Sequence, residues 1–379
     1  MDFQYSEEQQ MLADSLRRFV ETEYPFARRR EIARQGGAFD RGIWAALAEM
    51  GVLGLTVSTD FGGFGEGPAS QLVVHRELGR GLVLEPVIPS AVVGTAVLGN
   101  YGSAAQQAAW LPALASGERV LALAYLEPGT RYRPEAAQAT AVRDGDSYRL
   151  DGIKSLVWHG DAADTYLVSA RVPAPEGDLA LFLVPRDTEG LHVTSYPTMD
   201  GLRGADLRLQ GVTVPAAARI GQAEIGLAAL EHGLDHGIAA QCAAAVGAME
   251  RLIELTGEYL RTRRQFGTPL ATFQALQHRM AEMLVHKELA LSMAYVAVQA
   301  LDETDAAARR RMLAGAKVVV ARAARFIGQQ AVQLHGGMGM TDELEVGDYF
   351  KQLTMVDVLF GDTDFHMERY GEAMAGTRG

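Results

Sequence analysis

Apolar residues recur at three- and four-residue spacing along most of the chain, the mark of helices with one buried face. Ser6, with Gln9 three residues on, forms a capping box, and Met11, Leu12, Leu16, Phe19 and Val20 then trace one apolar stripe. A second helix is expected over about 41–50, with Ile43, Trp44 and Leu47 inward and a stop at Gly51. The glycine-rich run 61–67 reads as a turn before a helix over 69–79. It is not G-x-G-x-x-G between a strand and a helix, so it predicts no dinucleotide-binding fold. Pro86 and Pro89 break the chain before another helix through Leu98, and a short one covers 103–115.

From Arg119 the period changes. Residues 120–125 read as a buried strand, and Asp144-Gly145-Asp146 and Asp151-Gly152 as turns flanking the runs 148–150 and 153–157. Further runs at 165–172, 179–184, 192–196 and 206–209 continue to Gly221. Four long helical segments follow, at about 223–262, 273–302, 306–335 and 345–374, the last broken near Phe360-Gly361-Asp362. Short connections predict antiparallel neighbours. The expected fold is α+β and multidomain: a helical N-terminal domain (1–118), an antiparallel β middle domain (119–221) and a C-terminal four-helix bundle (222–379).

Composition narrows the class. With 379 residues, 48% of them hydrophobic, the chain has ample material for more than one core. The polar start MDFQYSEEQQ suggests no signal peptide, and no apolar run reaches the ~18–20 residues of a membrane helix. The one cysteine, Cys242, lies in an Ala-rich helical run and reads as packing in a reducing, cytoplasmic setting. A formal charge of −12 argues against nucleic acid. Arg28–Arg30 and Arg309–Arg311 read as solvated helix faces, and no metal site is read.

Candidate chemistry gathers in two places. Between the first two long C-terminal helices stands RTRRQFGTPLATFQALQ, Arg261 to Gln277, with Arg264, Phe266 and Gln274. A guanidinium grips phosphate, a ring covers a heterocycle, and an amide reads a purine edge or a phosphate oxygen. The same residues also suit a plain helical turn with a solvated arginine and a core phenylalanine. The second place, Gln333 to Met340, pairs Gly336 with Gly337 at the end of the third long helix. Such glycines cap a helix, and they also let backbone approach a ligand.

R-x-Q-F-G-x-P-L-x-x-F-Q over 263–274, followed about sixty residues on by Q-x-x-G-G-x-G-M-T over 333–341, resembles the acyl-CoA dehydrogenases. The resemblance covers nearly the whole chain. It looks nearest the small-subunit branch for pimeloyl-type thioesters, with heteromeric steroid side-chain dehydrogenases as cousins. It implies FAD as cofactor, an acyl-CoA substrate, α,β-dehydrogenation of the fatty-acid β-oxidation kind, and electron-transferring flavoprotein as acceptor. In that family a glutamate takes the α-proton from one of two positions. Here they hold Phe360 and Gly237, so no catalytic residue is assigned. His236 and Asp357 are the nearest substitutes. The loop after T-E-P becomes Gly129-Thr130-Arg131-Tyr132-Arg133, W-I-T-N becomes Leu156-Val157-Trp158-His159, and flavin-holding positions become Asp362 and Asp364. Retained are Arg264, Phe266, Gln274, Gln333, Gly336 and Gly337, the set that in the family reaches a neighbour's FAD on its adenine and pyrophosphate side.

The expectation is therefore a subunit that completes a shared FAD site with a paralogous large subunit, as a heterotetramer. A self-sufficient homo-oligomer with an unusual base, and a flavin-free scaffold paralogue, are the alternatives.

Overall fold

The structure is a computed structural model that describes residues 5–36, 39–173, 178–222 and 224–376. Met1–Gln4, on which the signal-peptide reading partly rests, the outer domain limits at 1 and 379, and the helix start at 223 lie outside the described residues. The helices up to residue 118 are α1 (Glu7–Thr22), α2 (Phe26–Arg34), α3 (Arg41–Glu49), α4 (Pro68–Arg80), α5 (Thr95–Tyr101) and α6 (Ala104–Ala115). The Ser6 capping box is present, and Ser103 makes a second one with Gln106. The prolines do not stop the chain as expected. Pro86 caps a wide π-helical segment, Val87–Gly94, with Pro89 in its first turn, where a missing N–H costs little.

The strands are β1 (Leu121–Ala124), β2 (Thr140–Asp144), β3 (Ser147–Trp158), β4 (Thr165–Arg171), β5 (Leu179–Pro185), β6 (Leu191–Pro197), β7 (Arg203–Pro215) and β8 (Arg219–Ile220). They form one sheet in the order β6-β7-β3-β2-β4-β5-β8, with β1 also on β4. The consecutive pairs β2–β3, β4–β5 and β6–β7 are antiparallel, as the turn signals predict. Two junctions differ: β1 runs parallel to β4, with Leu121 opposite Thr165, and β2 meets β4 in parallel at Thr140 and Arg171. Turn chemistry specifies only hairpins; a parallel pair is joined through intervening chain and leaves no local signal. Asp151-Gly152 is likewise no turn but an irregularity inside β3, where a Cβ on Gly152 would come within 2.6 Å of Ala139.

The C-terminal elements are α7 (Gly226–Thr262), β9 (Arg264–Gln265), β10 (Thr268–Pro269), α8 (Gln274–Ala300), α9 (Ala306–His335), α10 (Val346–Met355) and α11 (Thr363–Gly376). By contacts the chain divides into two compact units, Met1–Glu31 with Pro68–Val83 and Ile238–Gly379, and Ile32–Gly67 with Leu84–Gly237. The first is a helical core in which α4 crosses α7 very closely. A Cβ on Gly79 would lie 2.0 Å from the Ala244 carbonyl oxygen, and one on Gly247 would lie 1.8 Å from that of Arg76. Cys242 is buried there, and burial pushes its thiol up to about 12, as suits a packing residue. The second unit has the sheet, whose core holds Tyr166, Val168, Phe182 and Val184.

Arg28–Arg30 are not a solvated face. Arg29 is 1% exposed and donates to Leu82 O and Asp348 Oδ1, while Arg30 donates to Asp342 O, Leu344 O and Asp348 Oδ2. Irregular backbone at 341–345 has carbonyls that need donors, and the Arg30 guanidinium supplies two of them. Arg309–Arg311 are half-buried, and Arg309 donates to Glu303 O.

Candidate functional site

α7 ends at Thr262 because the chain turns into a two-residue hairpin. Thr268 faces Gln265 and Pro269 faces Arg264, with Phe266 and Gly267 at the tip. Both tip residues are left-handed, φ 53° and 82°, the geometry that twists a tight hairpin correctly. Glycine accepts this freely; phenylalanine does not. The Phe266 ring is 90% exposed and meets Phe273 edge-on, 6.3 Å between centroids. Strained backbone that displays a bare apolar ring serves something outside the chain's own core.

Arg264 is exposed, and its hydrogen bond among the described residues is a long one to Gly267 O, 3.3 Å. Arg263, which the sequence reading passed over, is exposed beside it. Its backbone is fixed by Tyr259 and Leu270, and among the described residues its guanidinium makes no hydrogen bond. Gln274, the first residue of α8, is also exposed.

At the end of α9, Gly336 caps the helix with its N–H on Gln333 O. Gln333, Gly336 and Gly337 are exposed, and a Cβ on either glycine would meet nothing within 4 Å. Gly337 has no positive φ, so neither backbone strain nor crowding within the chain calls for glycine there. The structure joins the bases of the two motifs. Tyr259, near the end of α7, donates to His335 O at 3.3 Å and stacks on the His335 ring at 4.3 Å. The sequence offered no signal for this pair beyond two ordinary helix residues.

The positions expected for a base are closed. Gly237 has no side chain. Phe360 is left-handed at φ 59°, half-buried against the helical core, and its carbonyl accepts from His366 Nε2 at 2.9 Å. Lys317, 0% exposed, donates to Val356 O (2.6 Å) and Gly361 O (2.7 Å), and burial pulls its amine down to about 8. Asp357 accepts from Thr363 N and Oγ1, and Asp362 from Phe365 N. The polar groups between α10 and α11 thus satisfy one another, and Asp357 is committed as a clamp. His236 is no better base. Burial, and then His232 at 4.7 Å between rings, hold its imidazole at about 3, and its Nδ1 has no partner.

The sheet contributes two more left-handed residues at the departed positions, Leu156 (φ 48°) and His159 (φ 54°). The Leu156 N–H is held by Tyr196 Oη and Asp206 Oδ1. His159 is 3% exposed and, by burial, held at about 3. Burial also holds His75 at about 4 and His366 at about 3. These imidazoles stay neutral in the fold but protonate near 6.5 once unfolded, so the unfolded chain binds more protons between those values. Stability is therefore expected to fall as pH drops from 6.5 to 4, by roughly 1–2 kcal/mol per histidine at pH 5. Chemical denaturation at pH 7.5 and pH 5 checks this, and His159→Gln should flatten the difference.

Among the described residues no group of three His, Cys, Asp or Glu is placed to hold a metal, and no helix is long and apolar enough to cross a membrane.

Three family models cover the chain: the acyl-CoA dehydrogenase N-terminal domain over 6–118, the middle domain over 122–212 and the C-terminal domain over 224–375. The acyl-CoA dehydrogenase FadE12 of Mycobacterium tuberculosis is 31% identical over 312 residues, 80% of either chain. Among solved structures, the Tcur3481-Tcur3483 steroid ACAD variant superposes with a TM-score of 0.89 at 29% identity, covering 98% of this chain and 99% of that one. The ChsE4-ChsE5 complex from Mycobacterium tuberculosis gives 0.89 at 28% identity, covering 99% of each. The three matches follow one another over nearly the whole chain, which belongs to the acyl-CoA dehydrogenase family, whose members are FAD-dependent oxidoreductases.

Proposed function

We propose that this chain is the base-lacking subunit of a heteromeric acyl-CoA dehydrogenase, completing an FAD site whose base and ring pocket come from a paralogous large subunit. The observation that carries the reading is an asymmetry. The groups suited to adenine and pyrophosphate are displayed at the surface: Arg264, Phe266, Gln274, Gln333, and Gly336-Gly337 with open space where a side chain would stand. The groups suited to a flavin ring and a base are absent or consumed: Phe360 is packed inward and Asp357 and Asp362 hold their own loop.

FAD, when bound, supplies the two-electron acceptor for α,β-dehydrogenation of an acyl-CoA thioester. This chain's part is to hold its phosphates and shield its adenine. An α2β2 assembly, electron-transferring flavoprotein as acceptor, and a dicarboxylic or steroid side-chain thioester fit the same reading. Two of the similar solved structures are named for a pair of chains, which favours it. So does α8, which buries Met283, Ala290 and Ala294 yet leaves Leu284, Val285 and Leu289 about half exposed, a second apolar face that needs cover.

Arg264→Ala is expected to weaken FAD roughly tenfold or more, the worth of a charge-assisted phosphate pair. Fluorescence titration of FAD with the co-purified assembly measures it. A loss seen only for Arg263→Ala would move the contact one residue; no loss with either would end the phosphate role of this hairpin.

A further inference from the structure

Two of the three consecutive arginines of α2 act on the segment that follows the glycine turn of the site described above. Arg29 and Arg30 close on one carboxylate, Asp348, from two sides, at 3.1 and 3.0 Å. Arg30 also reaches the carbonyls of Asp342 and Leu344. Its guanidinium also lies over the Phe26 ring, 4.6 Å from the centroid. Residues 341–345 are irregular backbone between the Gly336–Met340 turn and α10. The turn is thus held at both ends: Tyr259 grips His335 before it, and Arg30 grips 342–344 after it.

A phosphate-binding turn works only if its backbone N–H groups already point where the ligand needs them. The glycines themselves cannot supply that rigidity, since they are the least restrained residues in the chain. We infer that Arg30, supported by Arg29 and Asp348, is a positioning residue that pre-organises the Gly336–Met340 turn for the FAD pyrophosphate without touching FAD. The inference rests on the proposed function, which assigns that turn to the cofactor.

The test is FAD affinity of the co-purified assembly, by fluorescence titration, for four variants. Gly337→Ala adds a methyl where the chain leaves open space, so it folds and obstructs only a ligand. Arg30→Ala removes the brace. The double variant tests whether the two act on one element. Arg17→Ala breaks the Arg17–Glu77 pair (2.6 Å) in the same helical unit and controls for lost stability. Arg30→Ala is expected to weaken FAD roughly tenfold, Arg17→Ala not at all, and the double variant to fall well short of the product of the single effects. Unchanged FAD affinity for Gly337→Ala, or no FAD binding by the parent assembly, overturns the cofactor assignment itself. A clear loss for Gly337→Ala with none for Arg30→Ala, an equal loss for Arg17→Ala, or strictly multiplicative effects overturns the brace alone.

Discussion

Purified without a partner, the chain is expected to turn over acyl-CoA thioesters at least a hundredfold more slowly than an assembly containing a base-bearing subunit. A positioned general base is worth roughly 10²–10⁴-fold, and on the proposed division of labour it comes from the other subunit. Gly237 has no side chain, and Phe360 cannot accept a proton. A His236 imidazole held at about 3 has too little basicity to compete for an α-proton, and Asp357 spends its oxygen on Thr363. Steady-state assays with straight-chain, dicarboxylic and steroid side-chain thioesters, with and without the co-purified large subunit, would measure it. Robust turnover by the single chain, abolished by His236→Ala or Asp357→Asn, would sink the division of labour and name the substitute base.

The largest expected loss of stability is at Lys154→Ala. Lys154 is 0% exposed and sits 2.5 Å from Glu127, with a second bond to Ser169 Oγ at 3.0 Å. Burial lowers the amine's pKa, and Glu127 opposes this from 2.5 Å. Glu127 in turn accepts from the N–H groups of Gln138 and Ala139, so it ties the loop after β1 to the edge of β2. Removing the lysine strands a buried carboxylate, for which about 3–5 kcal/mol is typical. Denaturant unfolding should show that loss, and the Lys154→Met, Glu127→Gln pair should recover much of it. A loss below about 1 kcal/mol for Lys154→Ala would mean that water reaches the carboxylate.

What the sequence made legible follows from how far each signal reaches along the chain. The inward Leu16, Phe19 and Val20, the Ser6 cap and the break at Phe360-Gly361 depend on residues within a turn of one another and stand where periodicity put them, whereas Met11, read onto the same stripe, is 62% exposed at the helix's first turns. The β1–β4 pairing joins residues 44 apart at its first register pair, Leu121 and Thr165, and nothing local marks it. Charged residues misled for a related reason. Arg29 was indistinguishable from a solvated cation, because its partner Asp348 lies far off in sequence. Both site motifs were legible through family resemblance, which carried residue identities but not the Tyr259–His335 stack that joins their bases.

The glycine crossing of α4 and α7 gives the hairpin a lever arm. From Gly247 to Thr262, α7 extends about 22 Å at 1.5 Å per residue, so a tilt of about 10° at the crossing would swing the Phe266 tip by about 4 Å. With Gly247 only 1.8 Å, at its would-be Cβ, from the Arg76 carbonyl oxygen, a single methyl there forces such a tilt or a shift. The direction of the hairpin is therefore set by the absence of an atom in the middle of the helix. Drift at Gly79 or Gly247 would be felt first as a hairpin pointing past its target, while every residue of the hairpin itself stayed unchanged.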